Sequence, residues 1–297
     1  MSSLPCAIET RDLVKRYGRK TAVDHLNLSV PTGSVFAFLG RNGSGKTSTI
    51  KMMLNMLDRN GGDISVLGMN PKKKDFDIKR RVGYVAQDQV MLDWMTVKQI
   101  LWFCSGFYPT WDKALTDQLI NDLELPLNEK LRNLSRGTQA KVALMLSMAF
   151  RPELLILDEP TAGLDVIVRR DFLEEVIDLI QQEGRTVFFS SHLVHEVERV
   201  ADWVGIIDNG RMIACCEIEA LKNQVKRLTL TFNDNIPPDI KLDGTINYKS
   251  IGRQAYITVR EHSDQIIAQA KQYQPQTLQV EDLSLEDIFI ALVGEGG

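Results

Sequence analysis

The pattern of apolar and polar positions divides the chain into short β-prone runs, turn signals and longer stretches of helical period. Val35–Leu39 is an apolar run that stops at Gly40, and a helical segment follows from Thr47 to Leu57, with Ile50, Met53, Leu54 and Leu57 on one stripe. Leu154–Leu157 is continuously apolar, as expected of a parallel strand buried on both faces, and Thr186–Ser191 reads as a second buried strand. Ala7–Leu13, Leu26–Val30, Ile64–Leu67 and Arg81–Gln87 read as further strands between turn residues such as Pro31-Thr32-Gly33 and Asn60-Gly61-Gly62-Asp63. The stretch from Met91 to Phe150 reads as helices. Most of its aromatics (Trp94, Trp102, Phe103, Phe107, Tyr108 and Trp111) are expected to fill the core of a small helical subdomain, with a minority exposed as a partner patch.

Trp203–Asp208 and Gly210–Cys215 read as a hairpin about Asp208-Asn209-Gly210. Beyond Lys222–Arg227 the character changes. Strands are expected at Leu228–Phe232, Ile246–Ile251, Ala255–Val259 and Thr277–Val280, and helices at Ser263–Gln272 and Leu285–Val293, the last capped by Ser284. The expected organisation is a main domain over residues 1–226, with a helical subdomain over about 91–150, and a small accessory α/β domain over 227–297.

Composition changes this picture little. The chain has 297 residues, a length that suggests about two domains, and the apolar and charged fractions of an ordinary globular protein. A net charge of −4 gives no electrostatic reason to expect a polyanion partner, and Lys72-Lys73-Lys74 reads as a solvated loop after Pro71. The four cysteines, Cys6, Cys104, Cys215 and Cys216, have no C-x-x-C spacing, so a reducing cytoplasm fits best. No signal-peptide pattern and no run of about 18 apolar residues is present, so membrane work would need another chain to do the spanning.

The chemistry concentrates at the ends of the buried runs. Gly40-Arg41-Asn42-Gly43-Ser44-Gly45-Lys46-Thr47 is G-x-x-x-x-G-K-[ST], the phosphate-binding P-loop or Walker A motif, placed between a strand and a helix. Its glycines let backbone N–H groups converge on phosphate, and the helix start adds a positive dipole end. Lys46 reaches outer phosphates, and the Thr47 hydroxyl suits Mg²⁺. Asp158 and Glu159 end a buried strand, which is costly unless a cation or catalysis explains them. In a nucleotide enzyme Asp158 holds Mg²⁺ and Glu159 orients and deprotonates water. Ser135 is a good N-cap for the apolar helix that follows, and Gly137 allows close approach to its first turn. His192, His195 and Glu196 lack a third spaced ligand, so a metal site there is set aside.

Taken in order, the P-loop, Gln87, Leu134-Ser135-Arg136-Gly137, Leu154–Glu159, Leu164-Asp165 and His192 resemble the ATPase subunit of ATP-binding cassette (ABC) transporters over about residues 7–225. The resemblance implies an α/β P-loop NTPase with an ABC-type β-subdomain, an inserted helical subdomain and a C-terminal α/β module. It implies ATP and Mg²⁺, with Tyr17 stacked on adenine and Asn42, Ser44 and Ser48 joining the P-loop contacts. Gln87 would read Mg²⁺ and the membrane partner. Ser135, Gly137 and His192 would meet the γ-phosphate, and Asp165 would complete the site. Arg136 and Thr138 depart from the usual signature, which puts the ribose contact and the turnover rate in question. Phe107-Tyr108-Pro109-Thr110-Trp111-Asp112 and the ending Val280–Phe289 look like exporter-type, drug- or antibiotic-resistance-type subunits.

The helix at Ser135 is a second anion-seeking N-terminus with no phosphate of its own, so a second copy of the chain is expected to complete each ATP site. The implied partners are that copy and a multi-spanning permease, with the chain peripheral at the inner face of the membrane and no nucleic acid bound. The competing reading is a soluble cassette ATPase acting on nucleic acid or ribosomes. Two features weigh against it: the Gln87–Ser135 stretch is short and lacks heptads, and the chain carries a single cassette. A non-catalytic nucleotide sensor is disfavoured by the presence of both Glu159 and His192.

Overall fold

The computed structural model describes residues 5–162 and 184–294. The chain divides into two compact units, Met1–Cys215 and Cys216–Gly297. The first holds two sheets. Strands β1 (Cys6–Tyr17), β2 (Lys20–Pro31) and β4 (Gly61–Val66) form an antiparallel sheet in the order β2-β1-β4. Both β1 and β2 run longer than the alternation predicts.

The second sheet has the order β5-β6-β7-β3-β8-β9, with β3 (Val35–Leu39), β5 (Val82–Val85), β6 (Leu154–Asp158), β7 (Thr186–Ser191), β8 (Trp203–Asp208) and β9 (Arg211–Glu217). Neighbouring strands from β5 through β8 run parallel. Every residue of β3, β6 and β7 is buried, the reason these runs carry almost no polar position before their last residues. β8 leads into β9 through Asn209 and Gly210, both at positive φ, as a tight hairpin requires. Because β3 lies between β7 and β8, and β7 lies beside β6, the three polar strand ends meet at one edge. Leu39 pairs with Ser191, and Asp158 pairs with Ser190.

Helix α1 (Lys46–Met53) stops short of the expected Leu57, because Asn55 takes a left-handed φ of 54° and turns the chain away. A five-residue helix α2 (Asp75–Lys79) carries no periodic signal of its own. Residues 91–150 contain α3 (Val97–Ser105), α4 (Lys113–Asp122), a 3₁₀ turn at Leu131–Asn133, and α5 (Arg136–Met148). Thr96 caps α3 in a box with Gln99, and Asp112 caps α4. The expectation that most aromatics here are core is wrong. Trp94, Trp102, Phe103 and Phe107 are exposed, Trp102 by 78%. Tyr108 and Trp111 are half-buried, with Tyr108 stacked on Phe150 at 3.9 Å between centroids.

In the second unit β10 (Lys226–Thr231), β11 (Thr245–Ile251), β12 (Gln254–Val259) and β13 (Thr277–Asp282) form an antiparallel sheet in the order β11-β12-β10-β13. Leu228, Leu230, Ala255, Ile257 and Val259 face a core shared with Ile266 and Ala270 of the helix Asp264–Gln272. Ser284 caps the helix Leu285–Val293 through the Asp287 N–H. The helix Ile218–Gln224 begins this unit ahead of the expected change of character. The sequence after Asp165 reads as an amphipathic helix to about Gln182, and that stretch lies outside the described residues.

Candidate functional site

The site is built where β3, β6 and β7 end. The chain leaves β3 at Gly40, where a Cβ would lie 2.4 Å from the Ile207 carbonyl oxygen, so glycine is required by close approach. It enters α1 at Gly45, whose φ of 113° and 2.5 Å approach to the Ala22 carbonyl oxygen exclude any side chain. Gly45 provides no side-chain cap, so the first amides of α1 are left for an external acceptor. Behind the turn, the buried Ser44 hydroxyl has no hydrogen-bond partner. Such a turn fits a phosphate chain.

A cleft of about 400 Å³ opens in front of it, lined among others by Tyr17, Asn42, Gly43, Gly45, Lys46, Thr47, Ser48, Gln87 and Glu159. The structure therefore brings these predicted residues together, with Gly40 and Ser44 shaping the turn from behind. Tyr17, the last residue of β1, is half exposed at 49% and its hydroxyl lies 3.3 Å from Ser48 Oγ. A flat aromatic wall at the mouth of a phosphate cradle suits a nucleotide base.

The carboxylates are locked in a polar cluster. Asp158 Oδ1 accepts from Ser190 Oγ at 2.7 Å and from Thr47 Oγ1 at 3.2 Å. Burial pushes the Asp158 carboxyl above its usual range, and those two hydroxyls oppose the shift. Tyr84, half-buried beside it, is pushed up to about 12 by burial and then by the Asp158 charge. Glu159 is held at both oxygens. Lys46 Nζ lies 3.1 Å from Oε1, and His192 Nδ1 lies 2.7 Å from Oε2. Lys46 and Glu159 are 5% and 7% exposed, so this pair is a buried one. Lys46 also donates to the Gly40 carbonyl at 2.7 Å. Glu159 has a left-handed φ of 48°, a strained conformation for a glutamate, and its N–H donates to Ser190 Oγ at 2.9 Å.

Ser190 thus holds the Asp158 carboxylate and the Glu159 backbone N–H, a role that sequence reading missed. The register of β6 and β7, which pairs Asp158 with Ser190, is what reveals it. Lys20 and Ala22, contributed by β2, also line the cleft without any motif to announce them.

Thr47, Gln87 and Asp158 supply hydroxyl, amide and carboxylate oxygens, the hard donors that suit Mg²⁺. Among the described residues no group of three His, Cys, Asp or Glu side chains gathers as a metal cage. A single carboxylate supplemented by substrate phosphates is the usual Mg²⁺ arrangement.

Ser135 and Gly137 do not line this cleft. They lie at the start of α5, where Ser135 Oγ accepts the Thr138 N–H at 3.1 Å. Arg136 lines a separate polar cleft with Gln87, Asp88, Gln139, Pro160 and Ala162. Asp165 lies outside the described residues.

The ABC transporter family matches residues 23–162 of this chain. The chain is 31% identical over 300 residues to a bacitracin transport ATP-binding protein of Bacillus licheniformis, covering 97% of this chain and 98% of that one. It is 26% identical to an ABC transporter ATP-binding protein of Bacillus subtilis, YtrB, over 97% of this chain and 98% of the other. A solved ATP-binding subunit of an ABC transporter superposes with a TM-score of 0.66 at 25% identity, over 73% of this chain and 92% of that one. A phosphate-cradling turn, an aromatic wall and a clamped carboxylate pair occur here in a chain alike over nearly its whole length to such subunits. The chain belongs to the ABC transporter family, as one of its ATP-binding, ATP-hydrolysing subunits.

Proposed function

We propose that the chain drives an exporter for antibiotic-like or drug-like compounds, with Mg·ATP as its fuel, a separate membrane permease as its partner and a second copy completing each ATP site. The observation that carries the hydrolytic part is the Glu159 carboxylate, buried at the mouth of the phosphate turn and held by Lys46 and His192. Lys46 binds the outer phosphates, and His192 contacts the γ-phosphate. As these two side chains turn to phosphate, Glu159 is left to take the proton of the attacking water. Mg²⁺, held by Thr47, Asp158 and Gln87, would neutralise developing charge on the phosphates. Asn42, Gly43, Gly45 and Ser48 frame the phosphate path, and Tyr17 stacks on the base.

The transport part rests on the relatives, among them a bacitracin transport protein and a linearmycin resistance protein of Bacillus subtilis. It is supported by a groove of about 400 Å³ lined by Leu54, Tyr84, Met91, Tyr108, Leu146 and Phe150. The exposed Trp94, Trp102, Phe103 and Phe107 belong to the same helical region. That apolar exposure suits a docked permease segment. No helix among the described residues is long and apolar enough to cross a membrane. We assign the first unit as the nucleotide-binding domain and the second as its accessory domain, with the chain at the inner face of the membrane through its permease.

Glu159→Gln keeps size and hydrogen bonding but removes basicity. ATP hydrolysis should fall about 10²–10⁴-fold while ATP binding persists. Turnover at the wild-type rate in that variant would refute the assignment.

A further inference from the structure

Glu196 is a buried carboxylate that the hydrolytic site, as described, does not use. It lies on the helix Val194–Val200 and is 7% exposed. A carboxylate removed from water is costly unless hydrogen bonds hold it, so its partners indicate what it does. Its Oε2 accepts from Thr161 Oγ1 at 3.2 Å and from Ser191 Oγ at 3.4 Å. Those hydroxyls belong to two different segments, a turn and a strand end. Thr161 follows Glu159 by two residues in a turn closed by the Ala162 N–H on the Glu159 carbonyl, at 3.0 Å. Ser191 ends β7, and His192 comes next. One oxygen of Glu196 therefore ties the turn carrying Glu159 to the strand end carrying His192.

That tie matters because Glu159 is in a strained, left-handed conformation, which persists only where the surroundings over-determine it. Ser190 holds the Glu159 N–H from one side. Without a hold on Thr161, the far side of the turn is free to relax, and the carboxylate moves away from His192.

We propose that Glu196 is a positioning residue. Through Thr161 and Ser191 it fixes the Glu159–Ala162 turn against the His192 loop and so keeps the base aimed at its water. This rests on the reading of Glu159 as the base. The competing account is a brace that adds stability only.

The test is steady-state ATP hydrolysis by the full chain, with ATP affinity and thermal midpoint measured on the same samples. Thr161→Val removes the hydroxyl at nearly constant shape. It should lower kcat about 10–100-fold, the cost of misplacing a reacting group by a fraction of an ångström to an ångström, while KM for ATP changes less than about twofold. Thr161→Ser should restore most of the rate. Glu196→Gln, which still accepts through its amide oxygen, should lose less than Thr161→Val, and the double variant should be no worse than Thr161→Val. In a Glu159→Gln background, Thr161→Val should cause no further loss, because the group it aims is already disabled. An unchanged kcat in Thr161→Val overturns the proposal. So does a loss that Thr161→Ser fails to rescue and that tracks a falling thermal midpoint. If Glu159→Gln alone turns over normally, the underlying reading of the base fails first, an outcome distinct from the other two.

Discussion

Two helices of the first unit, α1 and α5, begin in turns rich in glycine and small polar residues, and their first turns are built in opposite ways. At α1 the residue before the helix is Gly45, with φ 113° and no side chain to cap the amides. At α5 it is Ser135, extended, with its hydroxyl already taking the Thr138 N–H. The first turn faces a cleft, and the Thr47 hydroxyl and Lys46 point to a carboxylate pair. The second is exposed and shares its cleft with Arg136 rather than with the P-loop. A helix that leaves its amides uncapped is committed to an anion of its own chain's site. At α5 the Ser135 cap already satisfies the Thr138 amide, and under the proposed function this exposed start would meet phosphate only on the ATP of a second copy. The dipole is common to both, and the capping residue makes the difference.

Substitutions at the two starts should therefore cost different amounts. The largest effect is expected at Lys46. Lys46→Ala leaves Glu159 buried with only His192 beside it, and losing one partner of a buried pair costs about 3–5 kcal/mol. Urea unfolding should show that loss, and ATP binding should weaken with it. A variant as stable as wild type would mean the pair is not closed in solution.

Gly45→Ala and Ser135→Ala sharpen the comparison directly. At Gly45 a Cβ meets a fixed carbonyl at 2.5 Å in a left-handed conformation, so the turn must rearrange and ATP binding should be lost. At Ser135 only a cap is lost, about 1 kcal/mol of stability. Binding of ATP to a single chain should be untouched. Equal losses of binding in the two variants would erase the distinction.

The smallest effect concerns pH. The folded Asp158 carboxyl is raised above the ordinary carboxylate value, chiefly by burial. Its contribution to stability is therefore complete below that ordinary value and declines as pH rises through the folded one. Asp158→Asn should flatten this part of the stability–pH curve, and an unchanged curve would remove the burial argument.

Much of this was readable in the chain because the buried strands carry a dense signal. Val35–Leu39, Leu154–Leu157 and Thr186–Ser191 are strands at the expected places, and each delivers a polar group to the same edge. The gathering of Gly45, Lys46, Thr47 and Glu159 about one cleft follows from that arrangement. What was not legible depends on neighbours rather than on local pattern. Ser190 holds the Asp158 carboxylate and the Glu159 N–H only through the pairing of β7 with β6, and Glu196 meets Thr161 only once the loops are folded. The exposure of Trp102 and Phe107 was misjudged for the same kind of reason. Helical period predicts a stripe, but whether anything covers it depends on the subdomain around it.

The central claim is that the exposed start of α5 completes the ATP site of a second copy. Static light scattering of the Glu159→Gln chain, with and without saturating Mg·ATP, tests it most directly. A shared site predicts an apparent mass that doubles on adding ATP, because hydrolysis no longer dismantles the pair. It also predicts no doubling in Gly137→Asp/Glu159→Gln, where a negative, bulkier side chain faces the phosphate. The same ATP response in both chains, or a Glu159→Gln chain that stays monomeric at saturating ATP, would contradict the shared site.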